Sequence, residues 1–165
     1  MNYDINPLNS NLVFSVGQPI IIILFVFTAI AALLTFIGKS ANLVGLEVFA
    51  SKWLSRFAAT FLYFILIWAS LTMIISYAGS YAFDVVVGVI LLAGVIFSLV
   101  KRATSDQVGA NRALFFMYGL LIAALVWHFI FLAINTGAPS EGTEIITDNF
   151  VPHFYSDLFR YFGWA

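Results

Sequence analysis

Four long apolar runs separate the polar positions of the chain into short connecting stretches. The runs lie at about 19–38, 57–79, 81–100 and 113–135. A helix needs about 20 apolar residues to cross the hydrocarbon core of a bilayer, and each run is near that length. Apolar residues cover all sides of the expected helices, which is typical of membrane spans. The pattern therefore predicts an all-α integral membrane protein, a bundle of four transmembrane helices.

The connector between the first and second runs is longer than a simple turn. Between residues 40 and 55 apolar side chains recur at helical spacing, with charged residues between them. This spacing predicts a short amphipathic helix that lies on the membrane surface. Trp53, with Lys52 and Arg56 beside it, suits an anchor at the lipid–water interface. A helix that docks a partner protein is the alternative.

Residues 136–165 form a tail that differs in composition from the spans. Its first part is rich in Gly, Ser, Thr and Glu, as flexible linkers are. Its second part is aromatic, with apolar residues repeating every three to four positions after Pro152. We expect an amphipathic helix here and an interfacial role for Trp164. So much aromatic surface has to lie on lipid headgroups or on a partner subunit.

Composition agrees with a membrane protein and excludes several functions. Hydrophobic residues make up 62% of the 165 positions and charged residues 9%, against about 25% in soluble domains. The mean hydropathy is +1.02. With a net charge of -1 and no basic run, the chain offers nothing to nucleic acid. Without cysteine it can form neither disulfides nor thiol-based redox sites. One membrane domain over residues 1–165 is expected.

The basic residues predict how the chain is oriented. Six of the seven fall in the connectors 39–56 and 101–112: Lys39, Lys52, Arg56, Lys101, Arg102 and Arg112. Loops rich in Lys and Arg stay on the cytoplasmic side of a membrane. Both connectors are therefore predicted to be cytoplasmic, and both termini to lie on the outer side, periplasmic, extracellular or equivalent.

Three polar residues near the outer ends of the last two spans could form a cluster. Asp84 lies about one turn inside the third span, where it could still reach water, and His128 about two turns inside the fourth. Asn135 follows His128 by seven residues and so shares its helix face. Polar groups inside a membrane often mark functional sites. Such a cluster could be a proton-sensitive or ligand-binding site, or an interhelical hydrogen bond.

His128 is the one candidate for cofactor binding. A quinone needs a single hydrogen-bonding side chain and aromatic walls, which this stretch of the fourth span could supply. A haem held by two histidines would need a second ligand from a partner, because the remaining histidine, His153, lies in the tail. The sequence contains no compact metal-ligand spacing and no Ser–His–carboxylate set. Neither a metal site nor a catalytic residue is predicted.

These observations favour a non-catalytic, accessory subunit of a larger complex in an inner or equivalent membrane. The complex could be respiratory or otherwise energy-transducing, with the bilayer and other membrane subunits as partners. Two alternatives stay open. The chain could be a membrane anchor that contributes to a quinone or haem site in electron transfer, or a small homo-oligomeric channel or transporter.

Overall fold

The computed structural model describes residues 6–135 and 152–164, with only the backbone for Asn135. All regular elements in these ranges are helical. A short 3-10 helix, Pro7–Ser10, precedes five α-helices: α1 Leu12–Ser40, α2 Val44–Tyr77, α3 Ala82–Ala103, α4 Gln107–Asn135 and α5 His153–Tyr161.

Four of these helices are long and apolar enough to cross a membrane. They are α1 with 29 residues, α2 with 34, α3 with 22, and Gln107–Ile134 of α4 with 28. This confirms the prediction of an all-helical, multi-pass membrane protein. The helices extend beyond the apolar runs because backbone hydrogen bonding continues into polar sequence wherever a cap or turn does not stop it.

The start of α1 shows how a cap decides a helix boundary. The first apolar run begins at Pro19, yet Pro19 lies inside α1. The side-chain oxygen of Asn11 accepts a hydrogen bond of 3.0 Å from the backbone N–H of Phe14. Asn at this position stabilises a helix start because its side chain pairs one of the free N–H groups of the first turn. The helix therefore begins at Leu12, seven residues before the predicted span.

The surface helix predicted between residues 40 and 55 is not a separate element. Residues from Val44 onward form the first turns of α2, which continues into the membrane span. The connection to α1 is a tight turn, in which the N–H of Leu43 donates to the carbonyl of Gly38 at 2.8 Å. Residues 55–77 contain no Gly or Pro that would break a helix, so the hydrogen-bond ladder runs on to Tyr77. Where these turns lie relative to a membrane surface remains a prediction.

Short turns also join α2 to α3 and α3 to α4. Gly79 has a positive φ of 81° in the first of them. In the second, Asp106 caps α4 by accepting the backbone N–H of Gly109 at 2.9 Å. The Ser98 hydroxyl donates to the carbonyl of Ala110 at 2.7 Å and so fixes α3 against α4.

The chain divides into two compact units. One unit comprises Met1–Ser15 with Leu66–Ala165, and the other comprises Val16–Ile65. Apolar side chains that are fully buried fill the first unit: Phe14, Leu66, Met73, Leu91 and Val95. In the second unit, small alanines are buried and aromatic rings stack around them, among them Phe27 on Phe57 at 5.4 Å between centroids. The expectation of a single domain, with a tail from residue 136, remains a prediction.

Candidate functional site

Helix α5 begins on a carboxylate that belongs to α3. Asp84 accepts the backbone N–H groups of His153 and Phe154, one on each oxygen and both at 3.0 Å. A helix N-terminus has unpaired N–H groups and a partial positive charge, and a carboxylate satisfies both. Pro152, the residue at the cap position, makes no side-chain cap of its own. Asp84 therefore acts as a cap supplied from a distant part of the chain.

The surroundings of Asp84 differ from the sequence expectation. Its position near the end of a span was expected to let it reach water, but its side chain is only 1% exposed. A buried carboxylate is costly unless hydrogen bonds satisfy it. The two backbone N–H groups of α5 provide those bonds. Asp84 is buried because α5 covers it, which the local sequence could not indicate.

His153 is held at the same place by three contacts. Its Nδ1 lies 3.6 Å from Oδ2 of Asp84. Its ring stacks on Tyr81, in the turn before α3, with 3.4 Å between centroids and 13° between planes. Its backbone N–H is one of the two that Asp84 accepts. This histidine therefore helps to place the first turn of α5.

A second buried carboxylate, Asp157, fixes α5 one turn further along. The hydroxyl of Tyr77, at the end of α2, donates to Oδ2 of Asp157 at 2.7 Å. The Asn6 side-chain amide donates to the backbone carbonyl of Asp157 at 2.9 Å. Arg160 forms an ion pair with Oδ1 of the same carboxylate. Asp157 thus ties α5 to the N-terminal segment and to α2.

His128 faces α5. Its side chain is 3% exposed, and its Nδ1 lies 3.4 Å from the hydroxyl of Ser156. The imidazole also makes a hydrogen bond with the backbone carbonyl of Pro152. The rings of Tyr155 and Phe159 lie against it, with centroids at 6.2 and 5.9 Å. The partners of this histidine are thus residues of the chain's own C-terminal helix.

Tyr155 adds a further link between α5 and α4. Its hydroxyl donates to the backbone carbonyl of Leu121. Burial, and next the negative charge of Asp84, raise the pKa of the Tyr155 hydroxyl well above its usual value near 10. The phenol therefore keeps its proton, and its role as donor, throughout the physiological range.

The structure describes the side chains of two of the three residues in the predicted cluster, Asp84 and His128. Asp84 and His128 both contact the first turns of α5. Asp84 accepts the N–H groups at the start of the helix, and His128 contacts Ser156. The side chain of Asn135 lies outside the described residues. The cluster is therefore organised by α5, which the prediction did not include.

Sequence reasoning missed several residues of this network. Tyr77, Asn6, Asp157 and Ser156 were not singled out, although each makes a described contact with or within α5. One signal was present: His153, Asp157 and Arg160 recur at helical spacing and give α5 a polar face opposite its aromatic residues. No comparable signal identifies Tyr77 or Asn6.

An open cleft of about 640 Å³ lies between α4 and α5. Its lining contains both histidines of the chain, the Asp157–Arg160 pair, a serine and several apolar residues: His128, Phe129, Leu132, His153, Ser156, Asp157, Phe159, Arg160 and Trp164. Small-molecule sites are concave, mostly apolar and supplied with a few polar groups. The cleft has this character.

The predicted interfacial anchors have the exposure that such a role requires. The guanidinium carbon of Arg56 lies 5.4 Å from the centroid of the Trp53 ring, a cation–π contact. Lys52 is exposed beside them. Trp164 is 73% exposed at the end of the described chain. Their position at a lipid interface remains a prediction.

Known proteins and metal-site geometry give no further indication of function. Within residues 6–135 and 152–164, no three His, Cys, Asp or Glu side chains group together as a metal site would require. No protein-family model matches the chain, and the comparisons with curated proteins and with solved structures gave no match.

Proposed function

We propose that this chain is a non-catalytic, accessory subunit of a larger membrane complex. The observation that carries the proposal is the capping of α5 by the buried Asp84. Three ionisable groups, Asp84 of α3 and His153 and Asp157 of α5, make contacts that hold α5 in place. Buried polar groups with satisfied hydrogen bonds make a structure rigid and specific. A rigid outer helix suits a docking role better than a catalytic one.

The far end of α5 supports the same proposal. Beyond the buried first turns, exposed aromatic residues follow: Tyr161 at 39%, Phe162 at 45% and Trp164 at 73%. Phe162 and Trp164 stack on each other at 5.4 Å, so they form one surface. Aromatic residues are enriched at the centres of protein–protein interfaces. We propose that this surface contacts another subunit, with lipid headgroups as the competing occupant.

The proposal includes an orientation. The turns 41–43 and 104–106 join helix ends that carry Lys39, Lys101 and Arg102. The excess of basic residues at these ends favours the cytoplasm. The α5 helix and the aromatic surface would then lie on the outer side, together with both termini.

The test is quantitative recovery of a partner from native membranes. Tagged chain would be purified in mild detergent, and co-purifying proteins would be quantified by mass spectrometry. We expect wild type to recover one membrane protein at a fixed ratio. Asp84→Asn, which frees the start of α5, should reduce that ratio at least about tenfold. Asp106→Asn makes the same change in the exposed cap of α4 and should leave the ratio unchanged. A wild-type chain that runs as a monodisperse monomer without a partner would contradict the proposal.

The cleft favours one second candidate, a membrane anchor that contributes to a quinone site in electron transfer. Phe129, Phe159 and Trp164 provide aromatic walls, while His128 and Arg160 provide donors for ring oxygens. Haem is less well supported, because His128 already contacts Ser156 and the Pro152 carbonyl. If quinone binds, a quinone analogue should quench the fluorescence of Trp164, and His128→Leu should abolish the quenching. Equal quenching in both proteins would argue against this candidate.

A further inference from the structure

A separate apolar groove lies within the unit Val16–Ile65, between α1 and the first half of α2. Its volume is about 310 Å³. The residues that line it are all apolar: Phe27, Ile30, Ala31, Leu34, Phe49, Ala50, Trp53 and Phe57. Ala31 and Ala50 are 5% and 2% exposed, so these small side chains lie deepest and leave the space that the larger ones flank.

The dimensions of the groove suit a lipid chain that runs beside the helices. Its lining covers residues 27–34 on α1 and 49–57 on α2. At about 1.5 Å of rise per residue, this is a length of roughly 11–12 Å along the helix axes. One leaflet contributes about 15 Å of hydrocarbon. The groove therefore offers an acyl chain an unbroken apolar surface somewhat shorter than the hydrocarbon depth of one leaflet.

Positive charge is concentrated beside the same groove. Arg56 holds its guanidinium over Trp53, which is one of the groove walls. Lys52 precedes Trp53 and is exposed, as is Lys39 at the end of α1. Glu47 is the one acidic residue in 38–56, against three basic ones. Within residues 6–135 and 152–164 these three basic side chains form no ion pair. The side of the groove that Lys52 and Arg56 flank is thus net positive.

We propose that the groove binds an anionic phospholipid, with one acyl chain between α1 and α2 and the headgroup phosphate at Arg56 and Lys52. Basic residues near a membrane surface attract anionic lipids. The apolar groove beside them would hold the acyl chain in one place. Lysines scattered over a surface attract the headgroup but do not bind the acyl chain. A volume of about 310 Å³ has room for an acyl chain but not for another helix. This site is independent of the α5 network and of the proposed subunit role.

The test compares two lipids that differ only in headgroup charge. Purified full-length protein would be titrated with palmitoyl-oleoyl phosphatidylglycerol or phosphatidylcholine, and bound lipid would be counted by native mass spectrometry. We expect phosphatidylglycerol to bind at a saturable site at least about tenfold more tightly. The double variant Lys52→Gln/Arg56→Gln should lose that preference, whereas Lys101→Gln/Arg102→Gln, a matched basic pair on α3, should retain it. Raising the salt concentration should weaken the preference, because ions screen exposed charges.

A second variant tests the acyl-chain contact without a change of charge. Ala31→Leu places a larger side chain in the groove and should reduce binding of phosphatidylglycerol, while Ala123→Leu on the exposed face of α4 should not. Equal binding of the two lipids by wild type would overturn the proposal. So would a preference that survives in the double variant. If Ala31→Leu fails to fold, the double variant, which changes only exposed residues, still decides the question.

Discussion

The hydroxyl of Tyr77 donates a hydrogen bond of 2.7 Å to Oδ2 of Asp157, which lies 80 residues later in the chain. Tyr77 is the last residue of α2 and is completely buried. The bond joins the end of a membrane-spanning helix to the polar face of α5. Together with the Asp84 cap, it makes α5 part of the folded unit rather than a loose tail.

Tyr77→Phe should weaken this attachment without changing the shape of the side chain. A hydrogen bond to a charged group contributes about 1.5–3 kcal/mol, and its loss leaves a buried carboxylate oxygen unpaired. We expect a lower thermal unfolding midpoint in detergent. Tyr161→Phe is the control, since Tyr161 is 39% exposed. Equal midpoints for the two variants would show that the bond does not support the fold.

Asp84→Asn should release the first turn of α5. Asp84 accepts the His153 and Phe154 N–H groups on different oxygens, and in asparagine one of these oxygens becomes an NH2 group, which can only donate. Hydrogen–deuterium exchange of these two amides should accelerate by about tenfold or more, while exchange within α3 and α4 stays slow. Exchange that is equally slow in the variant would mean that Asp84 does not hold α5.

Gly88→Ala should destabilise the packing of α3 on the second half of α2. A Cβ at Gly88 would lie 2.9 Å from the carbonyl oxygen of Ser70 and 3.0 Å from Cβ of Met73. Overpacking of this kind costs about 1–3 kcal/mol.

Gly119→Ala is the matched control for this change, because a Cβ there meets nothing within 4 Å. Alanine is about 1 kcal/mol better than glycine inside a helix, so this variant should be more stable than wild type. Opposite shifts of the unfolding midpoint are expected from the same substitution at the two positions. Shifts of the same sign would contradict the close approach at Gly88.

The cap of α4 should be sensitive to acid. The hydrogen bond from the Gly109 backbone N–H, which is the largest cause, lowers the pKa of Asp106 below its ordinary value of 3.8, and Lys101 lowers it further. A lowered folded-state pKa means that the cap contributes fully above pH 3.8 and is lost as the pH falls through the folded value. The amide resonance of Gly109, followed by NMR in micelles, should titrate with a midpoint below 3.8. Asp106→Asn should remove that titration.

Cysteine labelling should reveal the orientation, because the chain has no cysteine of its own. Asn9→Cys and Thr104→Cys introduce thiols at exposed positions beyond the opposite ends of the spans. A membrane-impermeant maleimide added to intact cells should label the first and spare the second until the membrane is opened. The reverse pattern would show that the basic connectors face outward.

The sequence alone determined that this is a multi-pass membrane protein with four spanning helices. Hydropathy and helix length are local properties, and a run of about 20 apolar residues has few other stable environments. The helix α5 begins at His153, directly after Pro152. The apolar pattern placed the start of the first helix at Pro19. The helix in fact begins at Leu12, because Asn11 caps it there.

Only the tertiary structure decided what the polar residues do. Asp84 was expected near water, and it is instead buried under the first turn of a helix that begins about 70 residues later. From the sequence, His128 could face either a ligand or a neighbouring helix. In the structure its partners are Ser156 and the carbonyl of Pro152, both in the C-terminal part of the chain. A hydrogen bond needs its two groups within about 3 Å in a defined direction. Whether two distant residues come this close depends on the tertiary fold of the whole chain. Hydrophobic periodicity predicts the helices but not which of their polar residues meet.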